Sequence, residues 1–255
     1  MVELKDNPAK FSEPILDKVQ DILVELNPEE RVKIALDGMA GKGNIHKLSR
    51  RIEWLQTIGV EIEPEWALTS PKTVVGDFLK IDLSGFGLFD FYISSPVYGN
   101  RMSDSYVAKD LCKGCDGEGF QISLKSGNKI QCTKCNGNKL SKRYTYRSFL
   151  GRKPSEGSSA TLHFPSEGYK LFHYAAWKKV YEVLKPGAFF VLNTSDFIKN
   201  KEVVRVTDWH VETVLDSGLW EPYANYRVET ARVRHGENHQ ARVEHEDINV
   251  FMKRS

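Results

Sequence analysis

The feature that most constrains this chain is a short apolar run, residues 32–36, that stops at Asp37-Gly38-Met39-Ala40-Gly41-Lys42-Gly43 and hands over to a helical pattern at residues 45–57. Glycines directly after a strand let the backbone come close to a bound ligand. A second strand, Gly59-Val60-Glu61-Ile62-Glu63, follows at once, and Pro64-Glu65-Trp66 begins another helical turn. Upstream, Ser12 is placed to cap a helix with Pro14 in its first turn and Ile15, Val19, Ile22 and Leu23 at helical spacing. Further strands are predicted at 73–75, 89–93, 188–193, 224–230 and 248–253, and a helix at 169–184 that Lys185-Pro186-Gly187 stops. Strands alternating with helices imply an α/β fold: a seven-stranded, mostly parallel sheet with helices on both faces and ligands at the carboxyl ends of the strands.

The turn has a chemistry of its own. Glu61, in the second predicted strand, can take two ribose hydroxyls, which suits a nucleoside-containing cofactor. Asp37-x-x-x-Gly41-x-Gly43 does not match the G-x-G-x-x-G dinucleotide fingerprint, and no G-K-[ST] triplet offers a phosphate loop, so a pyrophosphate-bearing ligand is disfavoured. The 255 residues, 40% hydrophobic and 27% charged, exclude wholesale disorder. No apolar run approaches the length needed to cross a bilayer, and MVELKDNPAKFSEP lacks the apolar core of a secretory signal. The expected setting is cytoplasmic, away from membranes.

Charge is distributed unevenly. Between Arg101 and Lys153 there are 12 Lys/Arg and 4 Asp/Glu, net +8, which leaves 24 and 30, net −6, for the rest of the chain. Residues 105–153 therefore read as a basic module set into an acidic core of residues 1–104 and 154–255. All four cysteines fall inside it, as Cys112-x2-Cys115 and, sixteen residues on, Cys132-x2-Cys135. Each C-x-x-C pair can turn two sulfurs toward one metal, and two pairs complete a tetrahedron at Zn–S of roughly 2.3 Å. With four protein thiolates no position stays open, so the expected role of Zn2+ is structural. Two disulfides or a redox pair are the competing readings, disfavoured in a reducing cytosol. The C-x-x-C-x-G units resemble the zinc ribbon of J-domain chaperones, a resemblance of shape over about twenty-five residues that implies no chaperone activity.

Taken in order, the core motifs resemble those of S-adenosylmethionine-dependent DNA amino-methyltransferases. Asp37 to Gly43 is similar to their D-P-F-A-G-S-G loop, and Gly59-Val60-Glu61-Ile62-Glu63 and Val75-Gly76-Asp77-Phe78 follow at the right distance. Ser95-Pro96-Val97-Tyr98, at the end of the fourth strand, resembles their [DNS]-P-P-[YFW] tetrapeptide. Lys10-Phe11-Ser12-Glu13-Pro14 is similar to the segment that they place over the methionine end of the cofactor, and Val183-Leu184-Lys185-Pro186-Gly187 to the turn before their fifth strand.

The resemblance implies a Rossmann-like methyltransferase with S-adenosylmethionine bound by Phe11, Asp37, Gly38, Met39, Ala40, Gly41, Gly43, Glu61, Asp77 and Phe78. Asp37, Gly41 and Gly43 would line the methionine moiety, Glu61 would hold the ribose, and Asp77 with Phe78 would meet the adenine. Ser95 and the Pro96 carbonyl would accept protons from an exocyclic amine, and Tyr98 would stack on the base. An aromatic amine is a poor nucleophile whose lone pair is drawn into its ring, so alignment by two acceptors is an effective contribution, worth up to about 7–11 kcal/mol. The target base must be flipped out or single-stranded.

Val97 departs from the family's second proline, and Ser95 resembles cytosine-specific members more than adenine-specific ones. The implied partner is nucleic acid, DNA before RNA. A protein side-chain amide as target, or a silent nucleic-acid-binding protein that keeps the cofactor fold, are the alternatives. In the basic module, Arg101, Lys109, Lys139, Lys142, Arg143, Arg147, Arg152 and Lys153 interleave with Tyr106, Tyr144, Tyr146 and Phe149, which suits phosphate contact and base stacking. Residues 153–159 read as a mobile loop. His173, Tyr174 and Trp177 read as packing residues of a helix, Trp209 and His210 as structural, and the loop carrying His235, His239 and His245 has no assigned chemistry.

Overall fold

The structure is a computed structural model that describes residues 11–99, 112, 114–123, 126–135, 137, 146, 150–230 and 243–254. In chain order its elements are α1 (Glu13–Leu26), β1 (Lys33–Asp37), α2 (Leu48–Arg51), β2 (Leu55–Glu61), α3 (Pro64–Ala67), β3 (Thr73–Val75), β4 (Phe89–Ser94), β5 (Phe120–Ile122), β6 (Lys129–Gln131), α4 (Glu167–Val183), β7 (Leu184–Thr194), β8 (Phe197–Lys199), β9 (Glu202–Val204), α5 (Val206–Asp216), β10 (Trp220–Glu229) and β11 (His245–Lys253). Seven strands form one sheet in the order β10-β11-β7-β4-β1-β2-β3. Neighbours from β3 to β7 run parallel, and β11 runs antiparallel to both β7 and β10. From β1 the chain fills one side with β2 and β3, then crosses to β4. The strand order reverses between β1 and β4, and their carboxyl ends open a crevice there.

Strand residues alternate between two apolar layers. Ala35, Phe91, Ile93, Val191 and Val250 pack with Ile15, Leu16, Val19, Ile22 and Leu23 of α1. Leu36, Tyr92, Phe190, Leu192 and Phe251 pack on the opposite face with Ala176, Trp177 and Val180 of α4 and Val214 of α5. This is the period of two expected of a sheet covered on both faces, and each fully buried large side chain contributes about 1.5–3 kcal/mol. Lys253 ties β11 to the end of α4: its Nζ donates to the carbonyls of Tyr181 and Leu184, both at 2.7 Å. Those carbonyls have no partner within the helix, and a cation there also suits the helix dipole.

Several boundaries differ from the sequence expectation. The helix predicted over 45–57 is a 3-10 turn, Asn44–Lys47, running into the four-residue α2. β2 begins at Leu55, because Leu55, Thr57 and Gly59 are buried in alternation and pair in register with β1 from Lys33 onward. Lys185-Pro186-Gly187 ends α4 as expected but is already part of β7, where the pairing with β4 shifts register. The β8–β9 hairpin and α5 had no counterpart in the sequence reading. Ser12 is the N-cap of α1, yet its hydroxyl makes no capping bond. In the cysteine-bearing segment, β5 and β6 pair as an antiparallel hairpin.

Candidate active site

A recess opens at the crevice between β1 and β4. It is a narrow cleft of about 60 Å³ that opens to solvent. One wall is the glycine loop with the ends of β2 and β3. Glu61 at the end of β2 accepts from the Gly41 N–H at 2.8 Å and the Glu63 N–H at 2.9 Å. Asp37 at the end of β1 accepts from the Met39 N–H at 3.0 Å and the Ser94 hydroxyl at 2.8 Å. Both carboxyls are buried, and burial pushes each up to about 7 even though these donors pull the other way. Asp77 accepts from the Leu79 N–H at 3.0 Å, and its other oxygen meets Lys80 at 3.2 Å.

Position 38 must be glycine: a Cβ there would lie 2.7 Å from the Phe78 ring and from the Tyr92 hydroxyl. That hydroxyl is itself buried and has no hydrogen-bond partner among the described residues. The glycine lets the loop backbone settle against two aromatic rings.

The opposite wall follows β4. Ser95 lines the recess and its Oγ lies 2.9 Å from Tyr98 Oη. Tyr98 Oη donates to Glu246 Oε2 of β11 at 3.0 Å. Asn193 Nδ2 of β7 lies within hydrogen-bond reach of Ser95 Oγ, Tyr98 Oη and Glu246 Oε2, at 3.2, 3.2 and 2.7 Å.

Val97 supplies by contact what a proline ring would supply by covalent restraint. Its carbonyl accepts from Tyr169 Oη at 2.9 Å, and its side chain packs against Trp66, Tyr146, Leu150 and Ala160. Tyr169 Oη also lies 2.9 Å from His210 Nε2, and Trp177 Nε1 donates to His210 Nδ1 at 3.3 Å. The phenol spends its proton on Val97, so His210 carries its proton on Nε2. Burial, aided by the nearby His173, pushes His210 well below the ordinary histidine range and keeps it neutral.

A strap covers the recess from the other side. Arg152 pairs with Glu63 at 2.8 Å and with Glu65, and Ser155 donates to Glu63 from both its N–H and its hydroxyl at 2.9 Å. Gly157, at φ +84, comes so close that a Cβ would lie 3.1 Å from Asp77 Oδ2. Gly157 to Ala160 then line the recess together with Phe172 of α4.

Of the residues singled out from the sequence, Gly38, Met39, Gly41, Glu61, Asp77, Phe78 and Ser95 line this one recess. Asp37 lies buried beneath it, and Ala40 and Pro96 are buried beside it without lining it. Gly43, at φ +76, is the residue before the 3-10 turn and does not line the recess. Phe11 packs in the apolar layer with α1. Tyr98 stands behind Ser95, so its ring is not a wall of the recess.

Two residues expected to face nucleic acid are turned inward. Tyr146 packs edge-on against Trp66 with ring centroids 6.2 Å apart, and Arg152 is spent on Glu63 and Glu65. The loop at 153–159, read as mobile, is pinned by Glu63. Arg101, Tyr106, Lys109, Lys139, Lys142, Arg143, Tyr144, Arg147, Phe149, His235 and His239 lie outside the described residues. Asn193 and Glu246 were missed. A polar residue ending an apolar parallel strand was a usable signal for Asn193, whereas Glu246 opens an antiparallel strand and carried none.

The four cysteine sulfurs lie within 4.8 Å of one another, with Cys112 to Cys132 at 3.9 Å and Cys115 to Cys135 at 3.7 Å. A tetrahedron with Zn–S of about 2.3 Å has edges of about 3.8 Å, so the donor set fits one zinc ion. The same distances are far too long for the S–S bond of about 2.05 Å in a disulfide.

The sequence matches no family model, and no curated protein is significantly similar to it. Solved structures do share its architecture. A candidate class I S-adenosylmethionine-dependent methyltransferase from Listeria monocytogenes superposes with a TM-score of 0.51 at 10% identity, over 96% of this chain and 61% of the other. This chain thus spans about three fifths of the Listeria protein. A candidate RNA methyltransferase from Pyrococcus horikoshii also gives 0.51 at 10% identity, over 99% of this chain and 92% of the other. The fold is that of the class I S-adenosylmethionine-dependent methyltransferases.

Proposed function

We propose that this protein is an S-adenosylmethionine-dependent methyltransferase acting on the exocyclic amine of a base in DNA, cytosine before adenine, with a structural zinc in its basic module. The observation that carries this reading is that Ser95 and the carboxylates of Glu61 and Asp77 line one recess.

The residues present fit the cofactor. A buried carboxylate without a cationic partner is costly, and Asp37 and Glu61 are two of them. They suit a ligand rich in hydroxyl and amino donors. Among the described residues lining the recess none is basic, which argues against a ligand carrying phosphate. Glu61 takes the ribose, Asp77 and Phe78 the adenine, and Asp37 with the glycine loop the methionine end. Bound S-adenosylmethionine supplies a methyl group on a positively charged sulfur. Ser95, at the mouth of the β4 wall, accepts from the target amine and aims its lone pair. Zinc on the four thiolates is a staple for a segment too small to bury a core of its own.

The deciding experiment incubates the protein with methyl-labelled S-adenosylmethionine and separate pools of DNA, RNA and protein. Label in DNA, recovered as an N4-methylated cytosine after digestion, is the expected result. Label only in protein overturns the nucleic-acid target, and label only in RNA replaces DNA as the substrate. Cofactor binding with no label anywhere leaves a silent binding protein. Metal analysis is expected to find one zinc per chain, lost in Cys132→Ser.

A further inference from the structure

The polar cluster behind Ser95 has a direction. Tyr98 Oη donates to Glu246 Oε2, which uses the one proton of the phenol. In the 2.9 Å contact between Ser95 Oγ and Tyr98 Oη, the shared proton is therefore the serine's. Asn193 Nδ2 lies within hydrogen-bond reach of all three of these oxygens, its two N–H protons shared among them, and so fixes them against one another. A serine oxygen has two lone pairs. Asn193 takes one, which leaves the other for a donor in the recess that Ser95 lines. At the far end Glu246 is only half-buried, so the chain of groups starts in the recess and ends near solvent.

We propose that Ser95, Tyr98 and Glu246 form a proton relay that carries the proton released by a methylated amine out of the recess to the Glu246 carboxylate, with Asn193 as the positioning residue that holds the relay together. This rests on the reading of the recess as an amine-methylating site. As the amine nitrogen bonds to the methyl carbon, the pair of the old carbon–sulfur bond stays on sulfur and the nitrogen becomes cationic. One N–H proton then moves to Ser95 Oγ, the serine's own hydroxyl proton moves to Tyr98 Oη, and the phenol proton moves to Glu246 Oε2. The carboxylate becomes a carboxylic acid and gives its proton to water, so both hydroxyls end with the proton count they began with. A ring-conjugated ammonium regains its delocalised lone pair when it loses a proton, which drives the transfer without a strong base in the recess.

The test compares single-turnover methyl transfer by wild type, Tyr98→Phe, Glu246→Gln and Glu246→Asp on whichever nucleic acid the wild type labels. Tyr98→Phe and Glu246→Gln are expected to slow transfer about 10- to 100-fold, toward the lower end of general acid–base contributions, with cofactor affinity unchanged. At saturating S-adenosylmethionine, Glu246→Asp is expected to restore part of the rate that Glu246→Gln loses. Independently of turnover, the carboxylate band of Glu246 in difference infrared spectra without cofactor is expected to shift in Tyr98→Phe, which removes the phenol's hydrogen bond.

Wild-type rates in both variants, no rescue by Glu246→Asp, or a carboxylate band untouched by Tyr98→Phe would overturn the relay. So would a parallel loss of cofactor affinity, because the defect would then be structural. If the wild type labels no nucleic acid, the amine-methylating reading fails, while the infrared band still reports whether Tyr98 and Glu246 are hydrogen-bonded.

Discussion

On the β1–β2 wall of the recess, main-chain N–H groups of Met39, Gly41 and Glu63 supply three of the four hydrogen bonds to the carboxylates of Asp37 and Glu61, across at most 20 positions of sequence, and the Ser94 hydroxyl supplies the fourth across 57. On the β4–β7 wall, Asn193 and Glu246 reach Ser95 and Tyr98 through side chains alone, across 95 to 148 positions. The first wall asks mainly that the backbone take a given path and that a carboxylate stand at two places. The second asks for a particular side chain at each of four places on two strands and a loop. The two walls should therefore fail differently: substitutions on the first should remove a ligand contact, and those on the second should disturb their neighbours.

The largest expected effect is on the side-chain wall. Ser95→Ala should cut turnover about 100- to 1,000-fold, the range seen for loss of one preorganised polar group at a reacting centre. S-adenosylmethionine affinity should stay within about twofold, because Ser95 belongs to the acceptor side of the recess. Single-turnover rates beside equilibrium binding settle this, and a loss of affinity that matches the loss of rate would show that the walls are not separate.

Next in size is the backbone wall. Glu61→Gln should weaken S-adenosylmethionine binding about tenfold, since a charged acceptor of two hydroxyls becomes a neutral one that competes with the N–H groups of Gly41 and Glu63. The wild type should also show a pH effect. Burial holds the Glu61 and Asp37 carboxyls near about 7, and hydroxyl and amino donors favour the ionised form. Binding must then release protons, so affinity should rise as pH climbs through neutrality and fall below it. Calorimetry in buffers of different ionisation enthalpy measures the protons released, and affinity that is flat across this range would contradict the assignment.

The same contrast explains what could be read from sequence. The glycine loop, Glu61 and Asp77 were legible because strand, turn and acidic residue are neighbours in sequence and their function depends on that spacing. Ser95 was legible as part of a tetrapeptide at a strand end. Glu246 was not, because nothing local marks a glutamate that opens an antiparallel strand, and only the β7–β11 pairing brings it beside Asn193. The inward turn of Tyr146 and Arg152 was hidden for the same reason. A basic, aromatic-bearing stretch reads as a nucleic-acid surface until Glu63, Glu65 and Trp66, eighty or more positions earlier, are seen to claim these side chains. The seven strands were legible from apolar runs, but Leu55 was misread because Ile45, Leu48, Ile52 and Leu55 also fit a helical spacing.

A double-mutant cycle turns the comparison into a coupling energy. Tyr98→Phe with Asn193→Ala removes two members of one network, and the pair should be non-additive in thermal or denaturant unfolding by about 0.5–3 kcal/mol. Glu61→Gln with Asp77→Asn touches two carboxylates that are held by separate main-chain donors. That pair should add to within about 0.5 kcal/mol. Additivity on both walls would reduce the β4–β7 cluster to a set of independent contacts.

The smallest expected effect on binding lies on the strap. Arg152 is 37% exposed, but the Glu63 carboxylate it meets is fully buried. Glu63 keeps two other donors when the guanidinium is lost, the N–H and the hydroxyl of Ser155. Arg152→Ala leaves that buried carboxylate without a cation and should lower the melting temperature. Ligand affinity is a different matter, because Arg152 anchors the strap whose Gly157 lies against Asp77 and whose Ser158 to Ala160 close the recess. If the strap covers bound cofactor, the variant should release S-adenosylmethionine faster by a few-fold while its association rate holds, a split that stopped-flow binding resolves. Equal changes in both rates would place the strap outside the binding site and leave the recess with two working walls and an ornamental third.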